Sequence, residues 1–173
     1  MERITEIKDL DAVYQIFIEA FPPAELRLYE VMKQLYIEGL LKIYVLKQEN
    51  EIVGALSVWE LDNFVYVEHF AVSSKLRGQG LGSFFLKEVK LLYPQKQIVL
   101  EVEEPILEIE KRRVEFYQRN DFVLSSFGYI QPPFRENVED VHLVLMTYPS
   151  AITQEQFIHI KNQLFKKVYL VKD

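Results

Sequence analysis

Apolar positions along this chain switch between a spacing of two and a spacing of three to four, and each switch marks an element. Ile4 to Ile7 reads as a short first strand. Leu10, Val13 or Tyr14, Phe17 and Phe21 then recur at helical spacing, with Asp9 or Asp11 placed to cap that helix. Pro22-Pro23 ends it and opens a second helix, with Leu26, Val31 and Leu35 facing inward and Gly39 as its stop. Lys42 to Lys47 and Ile52 to Glu60 are strands joined by the polar turn Gln48 to Glu51, a hairpin pattern by composition and spacing. Leu61-Asp62-Asn63 turns into Phe64 to Val72, which is dense in β-branched and aromatic residues.

From Gly80 a helix carries Leu81, Phe84, Phe85, Val89 and Leu92 at helical spacing and runs to about Tyr93, where Pro94 breaks it. Gln97 to Val102 is the next strand, closed by Pro105, and Ile106 to Asn120 is a helix charged along one side. Val123 to Ile130 and Val141 to Tyr148 are strands separated by Gln131 to Asn137, a loop by its prolines and polar residues. Thr153-Gln154-Glu155-Gln156 forms a capping box for a last helix with Phe157, Ile160, Leu164 and Val168 on one face. The predicted order, β-α-α-β-β-β-α-β-α-β-β-α, is that of an α/β (α+β) protein: a mixed sheet with helices on its faces.

Composition narrows this further. The 173 residues suit a single domain, 1–173, and are too few for two comfortable ones. Apolar residues make up 49%, so a packed core is expected rather than disorder. A formal charge of -6 argues against an electrostatic grip on nucleic acid or on an anionic membrane. The absence of cysteine excludes disulfides and thiolate catalysis, and fits a cytoplasmic location. The opening Met1 to Glu6 has no apolar core of signal-peptide length, and no window approaches a membrane span. No histidine–carboxylate spacing suggests a metal. Oligomeric state stays open, a homodimer included.

One stretch brings chemistry with it. After the Phe64 to Val72 strand, Arg77-Gly78-Gln79-Gly80-Leu81-Gly82 joins a fixed cation, bare backbone and a helix start. A helix start offers N–H groups without intrahelical partners and about half a positive charge. Glycines remove the Cβ atoms that keep a phosphate at a distance. A pyrophosphate is the natural guest; a tight turn that needs glycine for its φ angles is the plainer alternative. Neither a P-loop nor a dinucleotide fingerprint fits the spacing.

Arg77-Gly78-Gln79-Gly80-Leu81-Gly82 resembles Arg/Gln-x-x-Gly-x-Gly/Ala, the acetyl-coenzyme A loop of the GNAT family of N-acetyltransferases, at every specified position. Phe116-Tyr117-Gln118-Arg119-Asn120-Asp121-Phe122 is similar to the family's Phe-Tyr-x-x-x-Gly-Phe string, most of all in serotonin N-acetyltransferase-type members, with Asp121 in place of glycine. The element order resembles the GNAT fold over nearly the whole chain. The resemblance implies a mixed, mostly antiparallel central sheet with helices on both faces.

It also implies acetyl-CoA as acetyl donor and no metal. Phe70, Ala71 and Val72 would end a strand that splays from its neighbour and pair with the pantetheine arm. The Val72 N–H would polarise the thioester carbonyl. Arg77, Gly78, Gln79, Gly80, Leu81, Gly82 and Ser83 would hold the pyrophosphate. The next strand ends in Val102-Glu103-Glu104 where the family often has Asn, so no coenzyme residue is carried over there.

For catalysis, Tyr117 stands where the family places the acid that protonates the leaving thiolate, and a phenol with an ordinary pKa near 10 suits that role. Its plainer reading is a core tyrosine on an apolar helix face. Glu68 is the candidate base, because alternation puts it on the face of Phe70 and Val72; His69 replaces it if a bulge reverses the facing. The acceptor groove would lie between Phe21 to Arg27 and Tyr129 to Asn137, with Glu101, Glu103 and Glu104 crowding it. Aromatics and carboxylates suit a small-molecule amine in its cationic form. The expected activity is acetyl transfer to a primary amine by direct attack in a ternary complex. The competing readings are a silent acyl-CoA sensor or binding module, and an enzyme acting on protein N-termini or lysines.

Overall fold

The computed structural model describes residues 1–136 and 138–171; Asn137, at the end of the anticipated acceptor loop, lies outside them. In chain order the elements are β1 (Glu2–Arg3), α1 (Lys8–Ala20), α2 (Tyr29–Ile37), β2 (Leu41–Gln48), β3 (Glu51–Glu60), β4 (Phe64–Val72), α3 (Leu81–Leu92), β5 (Gln97–Glu103), α4 (Glu108–Arg119), β6 (Val123–Ile130), β7 (His142–Tyr148) and α5 (Gln154–Gln163). Seven strands form one sheet in the order β1-β2-β3-β4-β5-β7-β6. Every pair is antiparallel except β4–β5, and α3 is the crossover between those two.

Helices cover both faces because the strands are apolar on both. On one face, Leu10, Val13 and Phe17 of α1, Met32 and Leu35 of α2, and Phe157 and Ile160 of α5 pack against Ile43, Ala55, Trp59, Phe64 and Tyr66. On the other, Phe85, Leu86 and Val89 of α3 and Val114 and Tyr117 of α4 pack against Leu56, Val58, Val67, Leu100 and Val102. Phe17 and Phe85 are fully buried, one on each face, and truncation of either to alanine removes about 3–5 kcal/mol of packing. Among the described residues no helix is long and apolar enough to cross a membrane.

Local chemistry explains the boundaries. The β2–β3 hairpin closes on Glu49 and Asn50, with φ of 51° and 66°, the two-residue turn whose twist matches its strands. Asp121 ends α4 at φ 62°, so it takes the left-handed place expected of glycine. Thr153 and Gln156 cap α5 reciprocally, at 3.2 and 2.8 Å.

Four expectations need correction. The first strand is Glu2–Arg3; Ile4 is buried beyond it, but the chain then turns into α1. Neither Asp9 nor Asp11 caps α1, whose N-cap position is Ile7; both lie in the first turn, where the helix dipole favours them. α2 starts at Tyr29 rather than at Pro23, so its buried face is Met32 and Leu35, and Val31 is 40% exposed. The residues before it form a loop because their carbonyls are bound by side chains from elsewhere. Finally, α4 starts at Glu108, since the Glu110 carboxylate takes the N–H groups of Ile106 and Leu107 at 2.8 and 2.7 Å and stops the helix short of them.

Candidate active site

The sheet splits at its parallel pair. β4 and β5 are paired from Phe64–Gln97 to Val67–Leu100 and no further. Beyond that point β4 stays with β3 as far as Val72–Gly54, and β5 stays with β7 as far as Glu103–Leu143. The two arms diverge, so their inner edges have no partner strand. Ser73 N–H donates to the Val53 carbonyl at 2.9 Å, which sets the phase of the ladder. Antiparallel alternation then turns the N–H and C=O of Val72 and Phe70 away from β3, toward the gap. The Arg77 guanidinium lies 3.5 Å from the Val72 carbonyl on that side.

A bulge shapes the β4 arm. Ser57 is paired with His69 and Val58 with Val67, leaving Glu68 as the extra residue. The bulge places Glu68 and His69 on one side of the sheet and Phe70 and Val72 on the other. Glu68 therefore does not share the face of Phe70 and Val72, as unbroken alternation suggested. Its carboxylate accepts from Arg27 Nε and Nη2, both at 2.7 Å. Burial pushes its pKa up, but Arg27 and His69 outweigh this and hold the group at about 2. A carboxylate so stabilised is a weak proton acceptor. His69 is buried between Phe17 and Phe21. Its Nε2 donates to the Glu25 carbonyl at 3.0 Å, and its Nδ1 lies 3.3 Å from Ser57 Oγ.

Across the gap, the start of α3 is left open to ligand. Gly80 is its N-cap at φ 79°, with no side-chain cap, and the first intrahelical bond belongs to Phe84 N–H. The N–H groups of Leu81, Gly82 and Ser83 thus have no helical partner. Gly78 also sits at φ 79°, a conformation side chains resist. Gly82 has a second reason to be glycine, since a Cβ there would lie 3.0 Å from Phe116 Cζ. Phe116 in turn stacks on Phe70.

These parts line one cleft of about 800 Å³. Phe70, Ala71, Val72, Arg77, Gly78, Gly80, Leu81, Gly82 and Ser83 all reach it, and Gln79 of the anticipated loop does not. Its charged lining comprises Arg77 beside the α3 start, Arg112, Arg113 and Arg119 of α4, and an acidic end where Glu25, Glu68 and Glu101 are close enough to act on one another, with Arg113 among them. Tyr117 lies on the wall, packed edge-on against Phe116 and Phe122. Burial pushes its phenol up to about 12, so it is protonated at neutral pH.

Sequence reasoning missed how the acidic end is wired. Glu101 accepts hydrogen bonds from Tyr66 at 2.5 Å, Tyr169 at 2.6 Å and Tyr129. Burial raises its pKa while the three phenols work against that rise. Glu103, expected in the acceptor groove, pairs instead with Arg113. Arg27 reaches three elements at once: Glu68, the Val168 carbonyl at 2.7 Å, and the face of Phe134 at 4.3 Å. No periodicity signals these partners, because each joins residues far apart in sequence.

A mixed sheet that parts after one short parallel pairing, with an uncapped glycine-led helix start facing the gap, defines an acetyltransferase fold. A family model described as "Acetyltransferase (GNAT) domain" matches residues 40–124. The Bacillus subtilis protein named "Putative acetyltransferase YjbC" is 30% identical over 168 residues, spanning 92% of this chain and 82% of its own. A GNAT-family chain from Bacteroides thetaiotaomicron is 32% identical and superposes with a TM-score of 0.90, over 99% of this chain and 98% of that one. A GNAT acetyltransferase from Elizabethkingia anophelis, solved with acetyl-CoA bound, shares the fold at 21% identity, with a TM-score of 0.61 over 84% of this chain and 94% of its own. The chain belongs to the GNAT family of N-acetyltransferases.

Proposed function

We propose that the protein moves the acetyl group of acetyl-CoA to a primary amine of a small molecule, by direct attack in a ternary complex. The observation that carries this reading is a single cleft lined both by the open α3 start with Arg77 and by a cluster of carboxylates. An anionic coenzyme and a cationic amine each find a complementary wall in it. The residues present suit the coenzyme. The N–H groups of Leu81, Gly82 and Ser83, with Arg77, would take the pyrophosphate. The free backbone groups of Phe70 and Val72 would pair with the pantetheine arm, and the Val72 N–H would stabilise charge growing on the thioester oxygen.

Tyr117 supplies the proton to the departing thiolate. A phenol held near 12 keeps its proton until a strong base appears beside it, and a thiolate is that base. Its hydroxyl makes no hydrogen bond to the described residues, and the side chain lines the cleft. A sensor without turnover has no use for such a group. At the acidic end, Phe134 stacked on Tyr169 adds an aromatic wall suited to a cation.

A panel of spermidine, 2-phenylethylamine, glycine and an N-terminal peptide, scored by coenzyme A thiol release against heat-denatured protein, tests the reading. Release with the small cationic amines, above glycine and peptide, is expected. Acetyl-CoA binding with no amine-dependent release overturns it in favour of a sensor.

A further inference from the structure

Of the carboxylates on the cleft wall, two are already committed. Glu68 is held by Arg27, and Glu101 by three tyrosines. Glu19 stands in solvent on α1. Glu25 differs from all of them: it is half-buried, lines the cleft, and among the described residues its carboxylate has neither an ion pair nor a hydrogen bond.

The backbone that presents it is clamped on every side. The Ala24 carbonyl accepts from Gln131 Nε2 at 3.0 Å, and the Glu25 carbonyl from His69 Nε2 at 3.0 Å. The Leu26 carbonyl accepts from Arg135 Nε at 3.0 Å and the Arg27 carbonyl from the Tyr14 hydroxyl at 2.8 Å. Four successive carbonyls are thus bound by side chains from α1, β4 and the β6–β7 loop. A loop bound only by its own residues would let this side chain wander; a loop bound from three elements aims it. A cleft-lining carboxylate on a clamped loop, without a partner among the described residues, is free to meet a cationic substrate.

On the reading of the site given above, we propose that Glu25 is the general base of acetyl transfer, accepting the proton that turns the acceptor ammonium into the attacking amine. The N–H bond of the ammonium breaks and an O–H bond forms on Glu25, whose proton then leaves to solvent. The freed nitrogen pair attacks the thioester carbon. As the C–S bond breaks, the Tyr117 proton passes to sulfur, and the second nitrogen proton restores the phenol. The balance is one amide, one thiol and one proton released.

The charged groups facing Glu25 support the role. Burial, then Glu103 of β5, raises its pKa to about 7, with Glu101 adding to the rise and Arg113 of α4 and His69 of β4 opposing it. A base poised there is about half ionised at neutral pH and strong enough to take a proton.

The test compares wild type with Glu25→Gln, which keeps the shape, using spermidine and 2-phenylethylamine over pH 5.5–10. Wild-type kcat/KM should rise to a shoulder near pH 7. Glu25→Gln should lose about a hundredfold at pH 7, lose the shoulder, and recover as the pH approaches the pKa of the amine. Its acetyl-CoA-induced rise in melting temperature should stay as in wild type, which shows that the fold and the coenzyme end are intact. Glu25→Ala should regain rate with added formate. A Glu25→Gln enzyme within about twofold of wild type, or with its shoulder intact, overturns the assignment and leaves acetyl transfer standing. No turnover by wild type with any amine overturns acetyl transfer itself, and the assignment with it.

Discussion

Replacing Arg27 by glutamine should cost the fold far more than one surface cation would. Arg27 and Glu68 have side chains only 5% and 1% exposed. Removing one partner of a buried pair leaves the other charged and desolvated, at about 3–5 kcal/mol. A second route gives a similar figure. The Glu68 pKa falls from the ordinary 4.5 to about 2, which at 1.36 kcal/mol per pH unit is worth about 3 kcal/mol of stability. For a chain of this length the melting temperature should drop on the order of 10 °C.

The pH dependence separates this cause from simple loss of packing. A carboxylate whose folded pKa is depressed contributes stability above its unfolded value, near 4.5, and loses that contribution as the pH falls toward about 2. Without Arg27, only His69 is left to oppose burial, so the folded pKa of Glu68 rises and it takes up a proton more readily in acid. The gap between wild type and Arg27→Gln, read by urea unfolding, should therefore be widest at pH 7.5 and clearly narrower at pH 4. The double variant Arg27→Gln/Glu68→Gln should recover more than half of the loss at pH 7.5, since no orphan charge remains. A loss under about 1 kcal/mol, or one that does not change with pH, refutes the reasoning.

Two further predictions concern turnover. Tyr117→Phe removes one oxygen and should lower kcat by about a hundredfold to ten-thousandfold with little change in KM for acetyl-CoA; wild-type kcat would make Tyr117 a packing residue only. Arg77→Ala should weaken acetyl-CoA binding by roughly tenfold or more, as loss of a charge-assisted hydrogen bond does, with the melting temperature of the free protein unchanged because Arg77 is exposed; an unaltered dissociation constant by calorimetry would place the pyrophosphate elsewhere.

What was legible in the sequence was whatever depends on neighbours in the chain. The limits of β4 and β6 come out as read, because β-branched and aromatic runs bounded by turn residues leave little latitude. So does the glycine-led start of α3, whose chemistry is contained in six consecutive residues. The second helix failed for the opposite reason. Pro22-Pro23 reads as a helix start, but Gln131, His69, Arg135 and Tyr14 claim the carbonyls that such a helix would have used. The bulge at Glu68 could be named only as an alternative, since its Ser57 partner lies on another strand.

Three carboxylates of the cleft show where reading from sequence stops. Glu25, Glu68 and Glu101 are the same side chain, each beside apolar neighbours in the chain, and burial raises the proton affinity of all three. Their fates diverge only through partners supplied by the fold. Two arginine nitrogens reverse the effect at Glu68 and make it a permanent anion that anchors a loop. Three phenols hold Glu101 in place and join β4, β5, β6 and the C-terminal segment. Glu25 receives no such partner and is left near 7. Glu25, Arg27, Phe134 and Tyr169 all lie outside residues 40–124, the span matched by the family model. Arg27 ties these outer segments to the core, through Glu68 of β4, the Val168 carbonyl and the face of Phe134, and on the function proposed above acceptor choice depends on that tie.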